Sequence, residues 1–183
     1  MLSTRDLVHC ALFAAVTAAL GLLPPIPLGF IPVPITAQTL GVMLAGALLG
    51  AKRGGLALVL FVLLVAAGLP LLAGGRGGMG AILGPTGGFA LGFIPGAFVV
   101  GLLTERLHGR GGVLGQFAAC MLGGIGVIYA CGIPWLSVVA GMPIEKAAMA
   151  SMAFVPGDLI KAGIAAFVAA TVRRAYPAIA VRG

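Results

Sequence analysis

Hydrophobic residues in this chain come in long unbroken runs, separated by short stretches rich in glycine, proline and charge. Six runs stand out, at about residues 7–23, 35–51, 54–72, 86–104, 112–133 and 147–172. The first five are 17 to 22 residues long, close to the ~20 that carry an α-helix across a hydrocarbon core of ~30 Å. Backbone polar groups in hydrocarbon must be satisfied internally, so only helices or closed barrels span it, and these runs lack the two-residue alternation of barrel strands. The pattern predicts an all-α integral membrane protein, a bundle of six transmembrane helices in a single domain over residues 1–183. In the last run Pro156-Gly157 would break a long helix, whereas proline is well tolerated in a first turn. A short helical or irregular piece through 144–154 is therefore expected, then a helix from about Pro156 to Val172.

Composition agrees with this reading. The chain is 61 % hydrophobic and 8 % charged, with a mean hydropathy of +1.19, whereas soluble domains carry about a quarter charged residues. A net charge of +7 raises nucleic acid as a partner, but the basic residues cluster in alternate short loops, so no nucleic-acid partner is expected. Of the 11 Lys and Arg, eight (Arg5, Lys52, Arg53, Arg106, Arg110, Arg173, Arg174, Arg182) fall on one side of the predicted topology, with His108 beside them. Two, Arg76 and Lys146, fall on the other, and Lys161 lies inside the last helix. The positive-inside bias places both termini in the cytoplasm. Arg5 followed by an apolar run has the outline of a signal peptide, but the run leads into a proline-rich loop and is read as a mature helix. Cys10, Cys120 and Cys131 lie in or beside apolar runs with no paired spacing and no nearby ligand set. They read as buried thiols, with no disulfide, metal or cofactor expected.

The loops opposite the basic side are unusual. Residues 23–34 hold five prolines and almost no polar side chain, which suits an apolar lid on the outer face better than a solvated linker. Residues 73–80, with Arg76 among glycines, gain close backbone approach at an entropic cost. Two motifs there are decoys: Gly75 to Gly80 matches a dinucleotide fingerprint without its βαβ context, and Gly80 to Thr86 resembles a phosphate loop without its lysine. Nothing in the chain can hydrolyse a nucleotide.

Asp158 and Lys161 are the outstanding chemical feature, because a charge at membrane depth costs at least ~2.5–3.5 kcal/mol and ordinarily faces a partner, a bundle interior or a pathway. Lys161 precedes Arg173 by twelve residues, or ~18 Å of helix. That puts the pair in the outer half of the bilayer, beneath the two loops. Residues three apart share a helix face, so an internal ion pair, a ligand site and a proton relay are all open readings. Gln38, between Thr36 and Thr39, is either an interhelical hydrogen-bonding group or part of a site. Tyr129 either lines a pocket or sits at the interface, and Trp135 reads as an interfacial anchor. Gly84, Gly88, Gly92 and Gly96 form a smooth ridge for close helix packing. Ala11, Ala15 and Ala19, with Ala14 and Ala18 beside them, form a second small-residue stripe, for internal packing or for docking a second membrane subunit.

Three segments in order resemble the BioY family: Val33-Pro34-Ile35-Thr36-Ala37-Gln38-Thr39-Leu40-Gly41-Val42, the glycine-rich loop running into Leu83-Gly84-Pro85-Thr86-Gly87-Gly88, and Pro156-Gly157-Asp158-Leu159-Ile160-Lys161-Ala162. BioY proteins are the biotin-binding S components of energy-coupling-factor transporters in prokaryotes, and the likeness covers nearly the whole chain. It implies a six-helix S-component bundle in the cytoplasmic membrane, with biotin held near the outer surface under the loops Pro24–Pro34 and Ala73–Pro85. By resemblance Asp158 and Lys161 contact biotin. A carboxylate suits the ureido N–H groups, and an ammonium suits either the ureido oxygen or the valerate carboxylate. Gly74 and Gly88 stand where some family members carry a side-chain amide and a basic residue, so here they could contact ligand only through main chain; Arg76 reads first as a plain loop residue and second as a source of the missing charge. Gln38 and Tyr129 complete the expected substrate-binding set. The alanine stripe on the first helix is where S components meet a transmembrane T component, to which two ATPase subunits attach, so the chain itself is not expected to be an enzyme. An S component for another small vitamin, or a stand-alone channel or proton-coupled carrier, are the competing expectations.

Overall fold

Ser3 opens the first helix with a reciprocal cap: its hydroxyl accepts from Asp6 N at 3.2 Å while its own N–H donates to the Asp6 carboxylate at 2.9 Å. This capping box starts the helix at Thr4, earlier than the apolar run alone suggests. The computed structural model describes residues 3–107 and 112–175, and among them the chain is helical, with two isolated β-bridges and no strand. The helices are α1 (Thr4–Leu20), α2 (Gln38–Leu49), α3 (Ala51–Ala66), α4 (Met79–Leu83), α5 (Gly87–Arg106), α6 (Gly112–Met121), α7 (Ile128–Ala140), α8 (Ile144–Ser151) and α9 (Val155–Ala175). A π-helical stretch, Leu122–Val127, joins α6 to α7, and a 3₁₀ turn, Met152–Phe154, joins α8 to α9. Taken as continuous rods, α1, α2, α3, α5, α6–α7 and α8–α9 are the six expected helices, and α4 is a short addition. Gly87–Arg106, Gly112–Ala140 and Ile144–Ala175 are each long and apolar enough to cross a membrane. The protein is a multi-pass membrane protein.

Several boundaries differ from the hydropathy runs for local reasons. Ile35 leaves the second helix to pair with Ile26, with N–H···O distances of 3.0 and 2.9 Å, so α2 begins only at Gln38. A single residue, Gly50, separates α2 from α3, and its φ of +83° is open to glycine alone at low cost. Lys52 and Arg53 therefore lie in the first turn of α3 rather than in a loop. The α6–α7 rod runs on past Pro134 to Ala140, where Gly141 stops it in the left-handed conformation. The irregularity in the last rod is the 3₁₀ turn, just before Pro156, which takes the second position of α9.

α5 and α2 form the centre of the bundle. α5 packs on α3, α7 and α2, while α2 also touches α9, α3 and α1, and α6 packs along α9. The glycine ridge is used for this internal packing. A methyl group at Gly88 would overlap Trp135, one at Gly92 would lie 3.1 Å from Cys131 Cβ, and one at Gly96 would lie 2.8 Å from Ile128 Cγ1. Gly84 falls outside the ridge, as the residue that ends α4.

The two ends of the bundle differ chemically. At one, Arg53 pairs with Asp6 at 3.2 Å, Ala51 N–H donates to Glu105 at 2.8 Å, and Arg173 donates to Ala47 O at 2.8 Å. His108, Arg110 and Arg182, expected on the same side, lie outside the described residues. At the other end the loops before α2 and before α4 meet, and a Cβ at Gly74 would be 3.5 Å from the Pro25 ring. Twelve residues of α2 span only ~18 Å, short of a ~30 Å core. The non-helical segment before it thus continues to membrane depth, which is tolerated where irregular backbone is buried in protein or lines a cavity.

Candidate functional site

A pocket lies at the loop-covered end of the bundle, with about 580 Å³ of space between its walls when the open solvent at its mouth is counted. Its walls come from the segment before α2, the first turn of α2, the loop before α4, α5, α7, the 3₁₀ turn and α9. The proline-rich loop covers it as an apolar strap: Ile31 and Val33 are buried while Ile26 and Phe30 stay exposed.

Asp158, in the first turn of α9, is 3 % exposed. Its Oδ1 accepts from Lys161 Nζ at 2.8 Å and from Thr39 Oγ1 at 2.9 Å, and its Oδ2 accepts from Tyr129 OH at 2.7 Å. Lys161 Nζ donates further to Thr39 Oγ1 at 3.1 Å and to the backbone carbonyl of Thr36. The ion pair is present, and both of its members line the cavity, so pairing with each other does not take them out of the pocket wall. Two buried charges need pairing and full hydrogen bonding to be tolerated, and here helices α2, α7 and α9 converge to supply it. Tyr129 is a cavity residue rather than an interfacial one.

Three aromatic rings stand beside this network. Phe89, Tyr129 and Phe154 meet pairwise edge to face, with centroids 6.1, 6.0 and 6.3 Å apart, the arrangement favoured by the ring quadrupole. All three line the cavity, with Phe93 adding a fourth apolar face. The sequence did not single out these phenylalanines, since within apolar runs nothing marks which face a phenylalanine occupies.

Gln38 lines the cavity but spends its side chain on architecture. Its Nε2 donates to Thr17 O at 3.2 Å and Leu71 O at 2.9 Å, and its Oε1 accepts from Ala73 N at 3.1 Å. At 2 % exposure it ties α1, α2 and the loop before α4 together. Gly74 and Gly88 are not among the cavity residues. Gly88 is packed against Trp135 on α7, which is partly exposed and donates to Gly84 O at 2.9 Å. Arg76, weighed in the sequence mainly as a plain loop residue, does line the cavity. Its Nε donates to Ala73 O at 3.2 Å and its Nη1 to Thr86 Oγ1 at 3.3 Å. Burial pulls its pKa below the ordinary guanidinium value, yet arginine remains a cation. Among the described residues no three His, Cys, Asp or Glu side chains gather as metal ligands, and the three cysteines are free.

An aromatic box beside a neutralised, hydrogen-bonded charge pair, roofed by loops at one end of a membrane-spanning bundle, defines a membrane protein that captures a small solute with a polar head. The chain belongs to the BioY family, whose profile matches residues 1–178. It is 57 % identical over 186 residues to the biotin transporter BioY of Rhizobium etli, covering 99 % of this chain and 100 % of that one. It is 50 % identical to the biotin transporter BioY of Rhodobacter capsulatus, covering 98 % and 99 %. In structure it is similar to the S-component for biotin from an ECF-type ABC transporter, with a TM-score of 0.89, 33 % sequence identity and 95 % of each chain covered.

Proposed function

We propose that this protein captures biotin and serves as the substrate-specific subunit of an energy-coupling-factor importer. The observation that carries the reading is the Asp158–Lys161–Thr39–Tyr129 network in the wall of an aromatic-lined cavity. The aromatic faces accept the apolar ring edges and alkyl chain of biotin, while the polar network offers hydrogen-bonding capacity to its ureido group. The relatives named for biotin transport, and the solved S-component for biotin, support the same ligand.

Energy for import comes from outside the chain: a membrane-embedded T component with two ATPase subunits attached. Ala11, Ala15 and Ala19 are exposed along one side of α1, Ala14 is buried and Ala18 is partly buried, so the docking surface narrows to the first three. The protein resides among the lipids of the prokaryotic cytoplasmic membrane. Both termini face the cytoplasm, as the basic end of the bundle and the positive-inside bias require.

Equilibrium binding of labelled biotin to the purified chain in detergent tests the ligand. Saturable binding that Asp158→Asn and Lys161→Ala each weaken is expected; no binding at micromolar biotin, or affinity indifferent to both changes, refutes it. Leucine at Ala11, Ala15 and Ala19 should abolish ATP-driven uptake in the assembled transporter and leave biotin binding intact, and loss of both or of neither refutes the docking surface.

A further inference from the structure

The hydrogen-bond inventory of the cavity decides which way round an amphiphilic anion sits in it. An ammonium has three N–H donors and no acceptor. Lys161 uses all three, on Thr36 O, Thr39 Oγ1 and Asp158 Oδ1, so it has none left for a ligand carboxylate. What the pair still offers is acceptor capacity: an ionised carboxylate has about four lone-pair sites, and among the described residues Asp158 Oδ2 receives only Tyr129 OH. The Tyr129 oxygen, having donated its proton, also keeps acceptor capacity. Two acceptors side by side, on an ion pair of zero net charge, suit a ligand's N–H groups and repel its carboxylate.

Arg76 presents the opposite inventory. Its guanidinium has five N–H donors, of which one on Nε and one on Nη1 are used by Ala73 O and Thr86 Oγ1. Among the described residues no acceptor takes the other three. The chain has four acidic residues: Asp158 is paired with Lys161, Asp6 with Arg53, Glu105 receives Ala51 N–H at the far end of the bundle, and Glu145 is exposed at the start of α8. Among the described residues none forms an ion pair with Arg76, which nonetheless sits half-buried in the cavity wall. Thr86 lines the same cavity. Its hydroxyl oxygen accepts from Arg76, so its own O–H is left to donate. Thr86 also precedes the first turn of the 20-residue α5, whose N-terminal partial charge adds to the attraction for an anion.

We propose that Arg76, with Thr86, is the specificity-determining site for the carboxylate of the ligand, while the Asp158–Lys161–Tyr129 cluster takes the uncharged N–H-bearing head. Stated for biotin, and resting on the reading above, the valerate carboxylate lies against Arg76 and the ureido N–H groups against Asp158 and Tyr129.

The test pairs biotin with biotinamide, in which the carboxylate is a neutral amide, on the purified full chain and on Arg76→Gln and Arg76→Lys. Losing one partner of a half-buried charge pair should weaken binding at least ~30-fold. The parent is therefore expected to bind biotin at least ~30-fold more tightly than biotinamide. Arg76→Gln should bind the two about equally, with its biotinamide affinity the same as the parent's, and Arg76→Lys should keep part of the preference. Unchanged biotinamide binding also shows that the Gln variant is folded. If the parent binds both ligands equally, or if Arg76→Gln weakens both by the same factor, the carboxylate site is wrong while biotin capture stands. If the parent binds neither, the biotin reading fails and this assignment fails with it.

Discussion

Replacing Lys161 by methionine keeps an unbranched stem one atom shorter and removes the charge. The change takes away the cation paired with Asp158 at 2.8 Å and a side-chain donor to Thr36 O, in both cases the only one among the described residues. Asp158, 3 % exposed, is left with Thr39 and Tyr129 as donors and no counter-charge. Breaking a buried pair from one side costs about 3–5 kcal/mol, whereas replacing both charges by neutral groups is often close to neutral. At about 2–4 °C per kcal/mol for a chain of this length, Lys161→Met should lower Tm by roughly 6–20 °C. The double variant Asp158→Asn/Lys161→Met should recover most of that loss. Thermal unfolding of the parent, both single variants and the double variant, purified in one detergent, closes the mutant cycle. A coupling energy of at least ~2 kcal/mol is expected, in the range found for residues in contact. Biotin binding should be weakened in all three variants, the stable double included. A single variant that loses less than ~1 kcal/mol, or a double variant as unstable as the sum of the two singles, would refute the view that the pair is held desolvated by its partners.

Gln38→Leu strips partners from Leu71 O and Ala73 N–H, at about 1–3 kcal/mol each, and amide hydrogen exchange should speed up at residues 71–78 well before it does in α5. Gly88→Ala overlaps Trp135 and should cost about 1–3 kcal/mol as overpacking, with biotin affinity of the folded protein unchanged; a selective loss of affinity at unchanged Tm would instead put Gly88 in the ligand site. Tyr129→Phe keeps the edge-to-face contacts with Phe89 and Phe154 but removes the donor to Asp158 and one acceptor. The lost charge-assisted bond should cost about 1.5–3 kcal/mol of stability, read as a lower Tm, the lost acceptor should weaken biotin binding, and unchanged affinity would refute its place in the head-group site.

The parts of this molecule legible in the sequence are those that break a local rule. A carboxylate and an ammonium inside an apolar run, five prolines in an apolar loop and glycines at four-residue spacing each stand out against their surroundings, and each marks a cavity wall, a roof or a packing seam. What the sequence hides is set by contacts between distant segments. Arg76 reads as an ordinary loop cation until the loop closes on Leu72, with N–H···O distances of 2.9 and 3.2 Å, and the side chain turns to Thr86. Gln38 reads as either an interhelical hydrogen-bonding group or a site residue, and only the folded contacts show which carbonyls and amide it holds while it also lines the cavity. The turn between α2 and α3 was placed at Lys52 and Arg53 because charge marks loops in hydropathy patterns, yet one glycine at positive φ makes the reversal and leaves the charges on the helix.

Tyr129 shows how far a site can depend on residues that carry no chemistry. It is the second residue of α7, directly after the π-helical stretch Leu122–Val127. A π-turn bonds i to i+5, so each extra residue it holds turns everything that follows by about 100° relative to a continuous α-helix. Had α6 continued regularly, the face of α7 bearing Tyr129 would point elsewhere, and Asp158 Oδ2 would lack its 2.7 Å donor. The wide turn is accommodated by Gly123, where a methyl would lie 2.6 Å from Val100 N, and by Gly124, where one would lie 2.5 Å from Met43 Cγ. These contacts press the stretch against α5 and α2, the same two helices that carry Phe89 and Thr39 to the cavity. The hydroxyl that completes the Asp158 network is thus aimed by two glycines a turn upstream, and the packing that aims it also fixes the distance between the aromatic box and the charge pair.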